Sequence, residues 1–102
     1  MSTYMGHPAI ARDHVRRAFW AAREGRANEA ASHLAQALWP PKSPAVYETY
    51  GLTASMRGAA TEAYEDLIAK RERTAITVLE RAVYPNDIPQ YELVAARFRA
   101  HG

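Results

Sequence analysis

The sequence predicts an all-α protein, a compact single-domain bundle of about five helices built from helical hairpins. Three observations lead to this fold class. Apolar residues recur at steps of three and four, no segment alternates with period two for long enough to form a strand, and one proline-rich stretch occurs twice. A chain of 102 residues has the usual size of one domain with one core. We therefore expect residues 1–102 to form a single helical domain.

The doubled stretch covers residues 34–48 and 79–92. Each copy contains the end of an apolar run, an aromatic residue followed by proline, and a second proline followed by Tyr-Glu. Proline lacks a backbone N–H and disfavours the helical conformation of the residue before it, so each copy should end one helix and start another. The predicted divisions are pseudo-repeats at about 8–44 and 45–89 and a C-terminal helix at about 88–100.

The aromatic residues of the two copies suggest either a groove or a set of plugs. Trp39 and Tyr84 precede the first proline of each corner, and Tyr47 and Tyr91 follow the second. They could line an aromatic groove for a partner peptide, or each could pack on its own corner at the end of the bundle. Burial of a large ring stabilises a fold by roughly 2 to 3 kcal/mol, which favours packing.

The first hairpin is predicted from two apolar runs that a glycine separates. The first helix should begin at Pro8 and end near Glu24, with Gly25 as the left-handed residue that follows it. The second should begin at about Ala27 or Asn28 and end at Trp39. The residues of the first helix expected to face the core are Ile10, Ala11, Val15, Ala18, Phe19 and Ala22.

This hairpin resembles the second half of a tetratricopeptide-type helical repeat. The matching residues are Arg23-Glu24-Gly25-Arg26-Ala27-Asn28-Glu29-Ala30, followed by Ala37-Leu38 before a proline. The resemblance covers residues 9–41 and implies a helical hairpin with the peptide-binding groove of that family. His14 and Arg17-Ala18 stand where the family has a large aromatic residue and a Leu-Gly pair. The second copy of this pattern in the chain follows after 45 residues.

The second half of the chain leaves one division open. A third helix should begin at Pro44, after Ser43, and break near Arg57-Gly58. Residues 59–84 contain no glycine or proline and form either one continuous helix or two helices with a bend at 70–73. The repeat favours the bend, but the four residues at 70–73 are good helix formers, so continuity is preferred.

The last helix is predicted from about Ile88 to Arg99. Its apolar residues recur on one face, as in an amphipathic helix. The residues of this face are Tyr91, Val94, Ala95 and Phe98.

Composition limits the classes of function. The chain has no cysteine, which excludes disulfides and thiolate metal sites. Its N-terminus resembles no export signal, and no window approaches the ~18 apolar residues of a membrane span, so we expect a cytoplasmic protein without a membrane partner. A net charge of +2 is too small to predict a nucleic-acid partner by itself. The charge is uneven, with +3 on residues 1–26 and −3 on residues 27–69.

No catalytic or metal-binding set is apparent in the sequence. Glu62 and Asp66 lie four residues apart on one helix, as an acid/base pair would, but no nucleophile, base and orienting group occur together. His7 and His14 can share a helix face, but no His-x-x-x-His or Glu-x-x-His pair completes a metal site. We therefore expect no enzyme, no cofactor and no metal.

Basic residues of the first helix form a charged face beside Trp20. This arginine ridge consists of Arg12, Arg16, Arg17, Arg23 and Arg26. Guanidinium groups next to an indole can bind phosphates and stack on bases. A helix–turn–helix motif does not fit this segment, because Arg26 lies where that motif has an apolar side chain. The alternative, which we prefer, is a solvated face neutralised by the acidic middle segment at 27–69.

The leading functional hypothesis is a non-enzymatic protein-binding module, such as an adaptor or a small inhibitor or immunity-type protein, that docks on a larger partner. One alternative is a nucleic-acid-binding protein that uses the Arg12–Arg26 helix face. Another is a homo-oligomeric structural protein that associates through the small residues Gly51, Ala54, Ser55 and Gly58. The candidate partner-binding residues are Arg12, Arg16, Arg17, Trp20, Arg23, Arg26, Glu62, Glu65 and Asp66.

Overall fold

Two helical hairpins and a C-terminal helix make up the fold. The computed structural model describes residues 8–39 and 52–101, with side chains at 11–39 and 52–99. The helices in this part of the chain are α1 (Pro8–Arg23), α2 (Ala27–Leu38), α3 (Ala54–Ile68), α4 (Glu72–Val83) and α5 (Gln90–His101). These residues contain no strand, and the predicted all-α fold class is confirmed.

The two hairpins pack face to face around a core that is rich in alanine. α1 packs against α2 and α4, and α3 packs against α4 and α2. The largest fully buried side chains are Val15, Phe19, Leu34 and Leu79, which stand among buried alanines such as Ala18, Ala30, Ala60, Ala63 and Ala75. Small side chains let the helix backbones approach closely, while each large side chain contributes about 1.5 to 3 kcal/mol on burial.

The turn between α1 and α2 forms as the glycine predicts. Gly25 has φ +85°, the left-handed conformation that glycine adopts without a Cβ clash. Its N–H donates to the carbonyl of Ala22 over 3.1 Å, and the N–H of Arg26 donates to the carbonyl of Ala21 over 2.8 Å. These two bonds are those of a Schellman motif, which satisfies carbonyls at a helix end.

The same turn recurs 45 residues later, between α3 and α4. Lys70 has φ +67°, and its N–H donates to the carbonyl of Leu67 over 3.1 Å. The N–H of Arg71 donates to the carbonyl of Asp66 over 2.7 Å. The preferred prediction of one continuous helix over 59–84 is therefore wrong, and the bend that the repeat indicated is present.

Lysine adopts this conformation because tertiary packing outweighs its local cost. A non-glycine residue in the left-handed region costs roughly 1 to 2 kcal/mol. A continuous helix would carry the second half of the segment away from the core, and α4 would lose the burial of Ala75 and Leu79. The loss of a buried leucine alone costs more than the strain at Lys70.

The boundaries of α3 also differ from the prediction. α3 begins after Thr53, whose hydroxyl accepts a hydrogen bond from the N–H of Met56 over 3.1 Å. It passes through Gly58 without the break expected near Arg57-Gly58, because an exposed glycine weakens a helix by about 1 kcal/mol but does not end it. The predicted helix start at Pro44 and the corner at Pro40 to Pro44 lie outside the described residues.

Aromatic contacts repeat with the same spacing of 45. Tyr84, at the end of α4, packs edge-to-face on Phe19 of α1 with ring centroids 5.5 Å apart. Trp39, at the end of α2, packs edge-to-face on Tyr64 of α3 at 5.2 Å. Trp39 and Tyr84 also share their backbone conformation, with φ and ψ of −132° and 76° against −127° and 75°. Each hairpin thus closes one end of the other, although Trp39 stays 58% exposed.

The C-terminal helix turns the face opposite its most apolar one to the bundle. Leu93 and Ala96 pack against the core, and Glu92 is buried. Tyr91, for which packing on its own proline corner was preferred, is 73% exposed, and so is Phe98. The physical reason lies in the polar contacts of Glu92, described below.

No helix in the described part of the chain is long and apolar enough to cross a membrane.

Substitution at position 70 distinguishes the bend from a continuous helix. Lys70→Gly should raise the free energy of unfolding by about 0.5 to 1 kcal/mol in a urea titration, because glycine relieves the left-handed strain. Gly25→Lys, the converse change at the equivalent turn, should lower it by about 1 kcal/mol or more. In a continuous helix Lys70→Gly would instead destabilise by about 1 kcal/mol, so that sign would contradict the observed turn.

Candidate interaction surface

A chain of hydrogen bonds joins α1, the end of α4 and α5. The indole N–H of Trp20 donates to the Tyr84 hydroxyl over 2.9 Å, and this hydroxyl donates to Oε2 of Glu92 over 3.0 Å. The other carboxylate oxygen, Oε1, accepts from Nη1 of Arg16 over 3.3 Å. We call these four side chains the Glu92 network. It occupies both oxygens of a carboxylate that is only 11% exposed.

Burial and the protonation of Tyr84 determine the hydrogen bonds of the Glu92 network. Burial raises the pKa of the Tyr84 phenol, and the hydrogen bond to Glu92 and its negative charge raise it further, against the opposing effects of Trp20 and Arg16. Tyr84 therefore keeps its proton and remains the donor to Glu92. The rings of Phe19, Trp20 and Tyr84 pack edge-to-face around it, with centroids 5.0 to 6.4 Å apart. The aromatic contacts join α1 to the end of α4, and the hydrogen bonds of Glu92 attach α5 to both.

Most of the arginine ridge is paired with nearby carboxylates. Asp13 accepts from Nη2 of Arg16 over 2.7 Å and from Nε of Arg17 over 2.6 Å. Partial burial alone would raise the pKa of Asp13, but the hydrogen bonds and charges of both arginines outweigh it and lower that pKa. Arg26 pairs with Glu24 and Glu29, and Arg99 of α5 pairs with Glu24 over 3.2 Å.

The source of these carboxylates differs from the expectation. Four arginines, Arg16, Arg17, Arg26 and Arg99, pair with Asp13, Glu24, Glu29 and Glu92. Among these four carboxylates only Glu29 belongs to the acidic middle segment at 27–69. Arg16, Arg17 and Arg26 of the ridge are thus paired, but the acidic middle segment is not the main source of their partners.

Trp20, predicted as an open stacking residue, is interior. Its side chain is 4% exposed and donates to Tyr84. The guanidinium groups of Arg23 and Arg99 lie 5.1 and 5.4 Å from its ring centroid, which gives two cation–π contacts. The indole therefore holds side chains of this protein in place and is almost entirely covered by them. Arg12 and Arg23 are exposed on α1.

The acidic residues of α3 separate into surface and interior groups. Glu62 and Glu65 are exposed, and Glu62 lines a surface cavity of about 300 Å³ with Arg81. Asp66 is 5% exposed, and its Oδ1 accepts from Arg71 over 2.8 and 2.9 Å. Its Oδ2 has no hydrogen-bond partner among the described residues. Asp66, predicted as part of a partner-binding face, instead stabilises the turn between α3 and α4.

Two cavities flank α5, one on each side. The first, of about 300 Å³, lies among α1, α2 and α5 and is lined by Arg16, Arg17, Trp20, Arg26, Glu29, His33 and Arg99. The second, of about 340 Å³, lies between α1 and α5 and is lined by Trp20, Arg23, Glu24, Leu93, Ala96 and Arg97. Arginines therefore border α5 on both sides.

The outward face of α5 is apolar. Tyr91 and Phe98 are 73% exposed and Val94 is 39% exposed, at helical steps of three and four that place them on one side. We call these three residues the α5 stripe. Sequence reasoning identified them, with Ala95, as one face but did not indicate that this face points outward. The sequence feature that bears on the orientation of α5 is Glu92, which belongs to the Tyr-Glu pair that the repeat places after each corner.

Two histidines meet between α1 and α2. Nδ1 of His14 and Nδ1 of His33 lie 3.1 Å apart, and Glu29 lies 3.9 Å from Nε2 of His33. One ring must donate and the other accept, so this contact cannot hold a proton on both facing nitrogens. Within the described residues no group of three metal-ligating side chains converges. His7 lies outside this part of the chain.

The small-residue face of α3 is open. Ala54, Ser55 and Gly58 are exposed, and a Cβ added at Gly58 would meet nothing within 4 Å. Gly51, the fourth residue of the predicted association face, lies outside the described residues. Self-association through this face stays a prediction.

Comparison with known proteins gives no relative from which a function can be transferred. No protein-family model, no curated protein and no solved structure matches this chain. The resemblance of residues 9–41 to a tetratricopeptide-type repeat therefore rests on the residues quoted above.

Loss of the Glu92 carboxylate should be costly. Glu92→Ala should lower the free energy of unfolding by about 2 to 3 kcal/mol, because Arg16 and Tyr84 lose a buried acceptor. Glu80→Ala, which removes an exposed carboxylate of α4, should change it by less than about 0.5 kcal/mol. In the double variant Glu92→Ala/Tyr84→Phe, the free energy of unfolding should fall by about 1 kcal/mol less than the sum of the falls in the two single variants. Strict additivity in urea titrations would refute the network.

The histidine pair should make stability depend on pH. Burial lowers the pKa of His14 below its usual value, and His33 and Arg17 lower it further, against the opposing charge of Asp13. The unfolded chain then binds the proton more readily, so stability should fall as the pH drops through about 6.5. Unfolding midpoints between about pH 7.5 and 5 should show this fall, in a range where Asp13 stays ionised.

His14→Gln is the matched control for this titration, because it keeps a polar side chain and removes the shifted group. Its stability should depend less on pH than that of the wild type. The same slope in both proteins, or a wild type that gains stability on acidification, would contradict the role of His14.

Proposed function

We propose that this protein is a non-enzymatic protein-binding module that docks on a partner through the outward face of α5. The observation that carries the proposal is the α5 stripe. Monomeric proteins commonly expose single apolar side chains, whereas grouped aromatic residues on one helix face are typical of interaction sites. Tyrosine and phenylalanine are also enriched where protein interfaces are most buried.

The orientation of α5 supports this interpretation. The helix has apolar residues on more than one side, and Leu93 and Ala96 alone would not bury more surface than Tyr91 and Phe98. The Glu92 network fixes the less apolar side inward. The larger side chains therefore remain outside, where each can contribute up to about 1.5 to 3 kcal/mol when a partner covers it.

The arginine ridge supports nucleic-acid binding less well. Arg16 and Arg26 each contact two carboxylates, so a phosphate would have to compete with Asp13 and Glu92 for one and with Glu24 and Glu29 for the other. The indole that would stack on a base is buried. A protein-binding adaptor or a small inhibitor is consequently the function that the surface favours.

A pull-down with three versions of the protein tests this proposal. The wild type, Tyr91→Ser/Phe98→Ser and Ile68→Ser are each immobilised and exposed to extract of the source cell. Ile68 is the matched control because it is 61% exposed at the end of α3, away from the stripe. A partner should bind the wild type and Ile68→Ser, and bind the double variant at least about tenfold more weakly.

Unchanged circular dichroism and unfolding midpoints would show that the double variant remains folded. Equal recovery of every protein by all three versions would overturn the proposal.

A further inference from the structure

The α5 stripe has a basic border on both sides. Arg97 borders the stripe on one side of the helix and lines the cavity of about 340 Å³ with Arg23. Arg99 lies on the other side and lines the cavity of about 300 Å³ with Arg17. Glu92, the carboxylate nearest the stripe in sequence, faces the bundle and is buried. The exposed part of α5 therefore presents apolar side chains and guanidinium groups without an outward carboxylate among its described residues.

The charge balance of this region is positive. The two cavities are lined by six arginines, and those arginines contact four carboxylates, Asp13, Glu24, Glu29 and Glu92. Within the described residues no carboxylate pairs with Arg23 or Arg97. Arg17 donates to Asp13 through its Nε, and its terminal nitrogens make no hydrogen bond among the described residues. The border of the stripe can thus accept further negative charge.

We propose that the occupant of the α5 stripe is an acidic amphipathic helix of another protein. The inference rests on the proposed docking function and specifies its partner. The apolar side chains of that helix would cover the α5 stripe, Tyr91, Val94 and Phe98, which is about 10 Å long at 1.5 Å per residue. Its carboxylates, on either side of its apolar face, would contact Arg97 along one cavity and Arg99 and Arg17 along the other.

Charge complementarity favours this occupant over a second copy of the chain. Two α5 stripes packed against each other would bring Arg97 and Arg99 of both copies together, and like charges in an interface are costly. An acidic helix places opposite charge at the same positions.

The arrangement also favours a helix over an anionic lipid surface. Glu24 and Glu29 lie in the cavities beside the arginines, and an extended anionic surface would meet these carboxylates too. A single helix can place each carboxylate opposite an arginine and leave Glu24 and Glu29 uncovered. The pattern of charge therefore suits discrete side chains better than a uniform surface.

Selection from a displayed peptide library tests the inference. The library holds helices about 18 residues long with leucine at three fixed positions spaced i, i+3 and i+7, and with Glu, Gln or Lys varied at the other surface positions. The full-length wild type is the bait. Selected peptides should be acidic, should bind about tenfold more weakly at 0.5 M than at 0.1 M salt, and should not bind Tyr91→Ser/Phe98→Ser.

Two charge reversals with equal effect on net charge separate the site from general electrostatics. Arg97→Glu should weaken the selected peptides about tenfold, whereas Arg73→Glu, at an exposed position of α4, should change their affinity by less than about twofold. Equal weakening by both reversals would overturn the assignment of the acidic contacts to α5.

The remaining outcomes distinguish the inference from the proposed function. Neutral or basic peptides that still require Tyr91 and Phe98 would overturn the acidic partner and leave the docking function standing. Failure to select any stripe-dependent helix would overturn the helical occupant, while the pull-down above tests docking by itself. Stripe-dependent dimerisation in analytical ultracentrifugation would identify a second copy as the occupant. Stripe-dependent sedimentation with phosphatidylcholine and phosphatidylserine vesicles would identify a lipid surface instead.

Discussion

The buried carboxylate of Glu92 is the constraint on which the arrangement of the C-terminal half depends. A carboxylate taken out of water is stabilised by hydrogen bonds and opposite charge at its oxygens. Arg16 satisfies one oxygen and Tyr84 the other, and the Tyr84 hydroxyl also accepts from Trp20. The rotation of α5 about its own axis follows from this satisfaction of polar groups. Its larger apolar side chains remain outside as a consequence.

The repeat explains why the two hairpins fit each other and where they differ in chemistry. Equivalent turns and equivalent edge-to-face ring pairs occur 45 residues apart, so each half closes one end of the other. The copies are not interchangeable, because position 20 is a tryptophan and its equivalent, Glu65, is an exposed carboxylate. Only the first copy therefore provides an indole N–H for the hydroxyl of Tyr84. This asymmetry gives the α5 end of the bundle its polar network and its flanking arginines.

The arginines serve the fold and the candidate surface together. Arg16 completes the Glu92 network, and Arg99 contacts both Trp20 and Glu24. Pairing with carboxylates reduces the positive charge that a nucleic acid would encounter, and it also fixes the side chains that border α5. Surface ion pairs contribute little stability individually, so their greater effect here is to determine which guanidinium groups face outward. As a result, arginine side chains border the apolar α5 stripe.

The sequence by itself determined the first hairpin, its glycine turn, and the buried face that contains Val15 and Phe19. Glycine, proline and helical periodicity are local signals, and local signals suffice where one face is clearly apolar. Only the tertiary structure decided the bend at Lys70, because the strain of a left-handed lysine is outweighed by contacts between distant segments. Tertiary structure also decided the face of α5, where apolar residues occur on several sides and periodicity alone cannot select one. Glu92 selects it, through partners 8 and 76 residues away in the chain.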